Sequence, residues 1–86
     1  MRLNDLILET LREQHPGVEF GVQIQDAKTG RSALIIGGVE LQAGGAEHWC
    51  DLDDPVRVEQ GVNIYRRSTQ MTLDRLRAAV TTHLSS

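Results

Sequence analysis

Leu3, Leu6, Ile7 and Leu11 recur at helical spacing, with Asp5, Glu9, Arg12 and Glu13 on the other faces. The pattern predicts an amphipathic helix from about Leu3 to Gln14. Asn4 or Asp5 is expected to cap it or to sit in its first turn. His15-Pro16-Gly17 stops it, because a residue before proline disfavours the helical region. Leu8 lies off the main stripe. It reads as the edge of a wide apolar face, with a contact to a second subunit as the sharper alternative. Val18, Phe20, Val22 and Ile24 then alternate with Glu19, Gly21, Gln23 and Gln25, as in a half-buried strand. Asp26-Ala27-Lys28-Thr29-Gly30 is a turn with Gly30 expected at positive φ.

Ser32 to Gln42 reads as the return strand of a hairpin. Leu34-Ile35-Ile36 at its centre is apolar on both parities, which suits an inner strand. Gly37-Gly38 interrupts it, and two glycines in a strand suggest a bulge, a bend or a close backbone approach. Ala43-Gly44-Gly45-Ala46 is a loop. Glu47 to Leu52 alternates as a short strand, ended by Asp53-Asp54-Pro55. Val56, Val58, Val62 and Ile64 share one parity, opposed by Arg57, Glu59, Asn63 and Tyr65, so one or two strands are expected with a break near Gln60-Gly61. Ser68-Thr69 or Thr72 should cap a final helix whose apolar stripe is Leu73, Leu76, Val80 and Leu84.

The order α-β-β-β(-β)-α over residues 1–86 predicts a single small α+β domain. An antiparallel sheet of three or four strands with both helices packed on one face satisfies the pattern. One sheet face is then left for solvent or a partner. The order is similar to the general layout of double-stranded RNA-binding domains. Thr72-Leu73-Asp74 stands where that family has a lysine-rich start to its last helix.

Composition narrows the picture. The chain has 86 residues, 40% apolar and 24% charged, which is the profile of a globular domain and not of a disordered one. Phe20, Trp49 and Tyr65 are the only aromatics, so aliphatic side chains must build the core. A chain of this length buries only about 60–65% of its unfolded surface, and a homodimer is one way to gain further burial. No apolar run reaches the roughly 20 residues of a membrane span, and the first residues do not form a secretory signal. The single cysteine, Cys50, excludes an internal disulfide framework and a paired-cysteine metal site. These features imply a cytoplasmic protein. Eight arginines against one lysine fit a GC-rich bacterial coding bias, and with the small size they suggest a bacterial or phage origin.

Charge is uneven. Residues 1–54 hold ten acids and four bases, whereas residues 55–86 hold five arginines and two acids. An overall net charge of −3 is a poor start for a nucleic-acid binder. Arg66, Arg67, Arg75 and Arg77 are the strongest basic feature, and Tyr65 beside them can stack on a base or pack. They suit an acidic partner surface, or the acidic first helix of a twin subunit. Trp49 is the other residue of hot-spot type, although in a domain with so few aromatics it reads first as a core anchor.

Catalytic signals are weak. His48 and Cys50 share one strand parity, a minimal start for a zinc site or for a nucleophile and its base. His15 and His83 lie elsewhere, and no EF-hand spacing surrounds Asp53-Asp54. Gly37-Gly38 and Gly44-Gly45 fit neither of the glycine-rich phosphate-loop patterns. The expectation is a binding or adaptor protein acting through protein–protein contacts, possibly as a homodimer, with no cofactor and no catalytic activity. Its candidate contact residues are Trp49, Tyr65, Arg66, Arg67, Arg75 and Arg77. Nucleic-acid binding through the arginines is the first alternative, and a metal or thiol site at His48 and Cys50 is the second.

Overall fold

The computed structural model describes residues 2–42, 48–51, 57–59, 62–64 and 67–85, with the backbone alone for 57–59 and 62–64. The elements are α1 (Leu3–Gln14), β1 (Phe20–Asp26), β2 (Arg31–Ile36), β3 (Val39–Glu40), β4 (His48–Cys50), β5 (Arg57–Glu59), β6 (Val62–Ile64) and α2 (Arg67–Ser85). The fold is the expected small α+β architecture, with an antiparallel sheet preceded by one helix and followed by the other in the chain.

β2 is the central strand. It pairs with β1 along one edge and with both β3 and β4 along the other. Glu40 stands opposite Ile35 and His48 opposite Ala33. β3 and β4 therefore form one lane, the third of the sheet, along that edge of β2. Both run antiparallel to β2, and the Leu41 N–H extends the β3 pairing by donating to the Leu34 carbonyl at 2.8 Å.

Gly37-Gly38 is a tight reversal and not a bulge. Ile36 faces Val39 directly across it, and both glycines have positive φ, at 59° and 83°. That is the pair of left-handed residues a two-residue hairpin turn requires. The predicted return strand from Ser32 to Gln42 is thus two strands folded back on each other.

The core lies on one sheet face. Phe20, Leu34, Ile36, Leu41 and Trp49 point toward it and pack with Leu3, Leu6, Ile7 and Leu11 of α1 and Leu73, Leu76 and Val80 of α2. Both helices cover the same face, as their single apolar stripes dictate. Leu8 packs against this core from its margin, as the edge of a wide apolar face would. Val18 does the same, although the strand begins only at Phe20. Leu84, expected in the α2 stripe, is 39% exposed at the helix end.

Two expected caps differ. α2 already includes Arg67, so Ser68 and Thr69 lie inside its first turn, and Thr69 is buried. At α1 the N-cap is Arg2, with no side-chain cap of its own. The last hairpin also departs from the simple alternation. Among the described residues β5 and β6 pair with each other alone, with Val58 opposite Asn63 and Val62 opposite Glu59. The even-numbered apolar positions therefore do not stand opposite one another, because the strand break between 59 and 62 changes their register.

Gly30 ends the β1–β2 turn at φ +72°, and a Cβ there would stand 3.0 Å from the Asp51 carbonyl oxygen. Gly17 has a similar φ of +89° with nothing within 4 Å. Gly30→Ala is expected to cost about 1–3 kcal/mol, measured by urea unfolding. Gly17→Ala carries the conformational strain alone and should cost less. Equal losses would show that the Asp51 contact is immaterial.

Candidate functional site

The polar groups of the described residues gather in two places. The first is the start of α1. Trp49 Nε1 donates to Asn4 Oδ1 at 2.8 Å, Asn4 Nδ2 donates to Ser32 Oγ at 3.4 Å, and Ser32 Oγ donates to the Gly30 carbonyl at 3.0 Å. Asn4 N–H donates to Asp51 Oδ1 at 3.3 Å, and Arg2 Nη2 lies 3.3 Å from Asp51 Oδ2. The Asp51 side chain is 5% exposed. A buried carboxylate needs such partners, and an N-terminal helix end favours a negative charge. Asp51 thus supplies the cap that Asn4 and Asp5 were expected to provide, from 47 residues away. Each member bonds to another member of the set, so the cluster fastens β4 to α1.

The second place is the sheet face that neither helix covers. Strand alternation sets Gln23, Gln25, Arg31, Ala33, Ile35, Glu40, His48 and Cys50 on it. Gln25 Nε2 donates to Glu40 Oε1 at 3.3 Å, and His48 Nε2 lies 3.3 Å from the same oxygen. Ala33, the smallest side chain of this face after Gly21, is fully buried among these longer neighbours. Ile35 is half-buried, and Gln23, Arg31 and Cys50 are exposed. The face is mixed in character, with polar side chains around a small apolar centre.

The candidate residues fall in different environments. Trp49 is a core anchor, only 6% exposed. Tyr65 and Arg66 lie outside the described residues, as do Gly44-Gly45 and Asp53-Asp54. Arg67 and Arg75 are exposed on the outer face of α2, about 12 Å apart along the axis. Arg75 and Arg77 are two residues apart, hence about 200° apart around the helix. Arg77 is half-buried and pairs with Asp74 at 3.7 Å. The Gln14 amide oxygen accepts from Arg77 Nε at 2.8 Å, tying α2 to the end of α1. The arginines of α2 therefore do not form one patch.

His48 and Cys50 share the uncovered face, as their parity requires. The His48 ring is engaged by Glu40, and the Cys50 thiol is exposed opposite Arg31. Among the described residues, no three of His, Cys, Asp and Glu converge as metal ligands, and no helix is long and apolar enough to cross a membrane. The sequence signal for the uncovered face was the polar parity of β1; the reach of Gln25 and His48 to a common Glu40 had none. No protein-family model matches the chain, and no curated protein or solved structure matches it.

Proposed function

We propose that the chain is a binding module, an adaptor that acts through protein–protein contacts and performs no chemistry of its own. The observation that carries this reading is the sheet face that neither helix covers among the described residues. Both helices are spent on the opposite face, and the exposed one sets Ile35 among Gln23, Arg31 and Cys50. An apolar centre with a polar rim is the usual anatomy of a protein contact. Arg67 and Arg75 extend the same reading to α2, as a second, charge-steering contact for an acidic partner. A single cysteine and the lack of a membrane-spanning helix among the described residues are consistent with action in the cytoplasm.

The test is capture by the tagged protein from lysate, with and without nuclease. Arg31→Glu changes only an exposed position, and Ile35→Lys alters the centre of the face; circular dichroism checks that each folds. Proteins that survive nuclease and are lost with either folded variant would support the reading. Captured material that vanishes with nuclease, and with Arg67→Glu/Arg75→Glu, would overturn it in favour of nucleic-acid binding, which should also weaken steeply with salt.

A further inference from the structure

We infer that β1 is a self-pairing edge, and that two copies of this chain join through it into one continuous antiparallel sheet. The inference deepens the binding reading by naming one partner, a second copy, and the surface that meets it.

Backbone groups alternate along a strand, facing its two neighbours in turn. Gly37 N–H donates to the Glu19 carbonyl at 2.8 Å, so Glu19 faces β2. Gly21, Gln23 and Gln25 then face β2 as well, while Phe20, Val22 and Ile24 face away from the sheet. Arg12 shows the same geometry independently: its Nη2 reaches across from α1 and donates to the Phe20 carbonyl at 3.2 Å. Among the described residues nothing does this for Val22 or Ile24. Beyond Ile24 the pairing with β2 shifts register before Asp26. The open edge is therefore short and bounded, closed by Arg12 at one end and by the bulge at the other.

Edge strands are ordinarily guarded by charge, proline or a covering element. From Phe20 to Gln25, β1 has neither charge nor proline. Ile24, at the open end, is 58% exposed.

The bounded edge is complementary to itself. Placing Val22 opposite Ile24 of a second antiparallel copy lets these two residues of each chain exchange all their outward N–H and C=O groups. The two-fold axis passes between the Gln23 residues. Ile24 gains Val22 of the second copy as a same-face neighbour, a favourable apolar cross-strand pair. Charge agrees with this register. Asp26 of the second copy comes to the Phe20 end, where Arg12 waits. Both side chains are exposed, and neither has an ion pair among the described residues. The dyad brings these opposite charges to the same end of the edge twice. A contact using the same patch on both copies is the ordinary form of a closed dimer.

Sedimentation equilibrium of the purified chain at about 100 μM and cysteine trapping test the proposal together. The expected mass is twice the 9.6 kDa of the chain, falling to 9.6 kDa in Ile24→Lys. In a Cys50→Ser background, Gln23→Cys should form an interchain disulfide at least roughly tenfold faster than Gln25→Cys, because Cα atoms at the axis are close enough for that bond and those of Gln25 are not. Arg12→Glu should weaken the dimer, and Arg12→Glu/Asp26→Arg should restore it. A monomer in the wild-type chain overturns the proposal. So does a dimer that persists in Ile24→Lys with equal trapping at positions 23 and 25. Neither result touches the binding reading, which is judged on Arg31 and Ile35; a monomer that captures nuclease-resistant proteins through those residues would keep that reading and sink only the self-pairing. A monomer whose β1 edge takes up an unrelated strand is a third result, and it too overturns the dimer.

Discussion

Trp49→Ala is expected to lower the unfolding free energy by about 3–5 kcal/mol, the upper range for large-to-small core changes. The ring is 6% exposed and belongs to the one core cluster formed by both helices and the sheet. Its indole N–H also holds Asn4 Oδ1 at 2.8 Å. Alanine therefore leaves a cavity and an acceptor that has lost its donor. A domain of this length has about 4–13 kcal/mol of total stability, so the variant should be partly unfolded at ordinary temperature. Trp49→Phe keeps most of the volume and loses the hydrogen bond, and its cost should be nearer 1 kcal/mol plus a modest packing loss. Urea titration followed by far-UV circular dichroism measures both, since the only tryptophan is removed as a fluorescent probe. A loss under about 1 kcal/mol for Trp49→Ala would show that the core does not depend on the indole.

Leu76→Ala is expected to cost about 2–5 kcal/mol. Leu76 has no exposed surface, and α2 holds to the rest of the molecule chiefly through Leu73, Leu76 and Val80. The helix is 19 residues long and otherwise mostly solvent-facing. A helix attached by so narrow a stripe depends on each member of it, because most of a helix's stability in a protein comes from the packing of its apolar face. Hydrogen exchange should show α2 amides losing protection first. Leu84→Ala, at a position 39% exposed, should change stability by under about 0.5 kcal/mol. Similar effects at the two positions would mean that α2 docks through a different face.

Local periodicity carried most of the fold. Leu3, Leu6, Ile7 and Leu11 marked α1 because a helix repeats its face every three to four residues, and the β1 alternation marked its core side for the same kind of reason. Gly30 at positive φ was readable from its turn. Gly37-Gly38 was not, because two glycines serve a bulge and a reversal equally well, and only the pairing of Ile36 with Val39 decides between them. The cap on α1 was out of reach for another reason. Windows around residues 2–6 contain Asn4 and Asp5 but not Asp51, which the fold alone brings there. Of the candidate contact residues, Trp49 was decided by burial, a property of the whole chain. Arg75 and Arg77 looked like neighbours in sequence, and helical geometry separates them. The β1 edge gave no sequence signal beyond its lack of charge, because an edge exists only once strand order is known.

The fastening of α1 by residues 49 and 51 also sets an order in time. A ribosome adds roughly 5–20 residues per second. Residues 2–4 are made before their partners: Asn4 bonds to Trp49 and Asp51, 45 and 47 positions later, and Arg2 reaches Asp51, 49 positions later. Until those arrive, α1 has no cap, and its apolar stripe lacks both the third lane and α2. α1 therefore waits with its apolar stripe exposed: Trp49 and Asp51 supply its fastening, and α2 completes the cover only after residues 67–85 have followed.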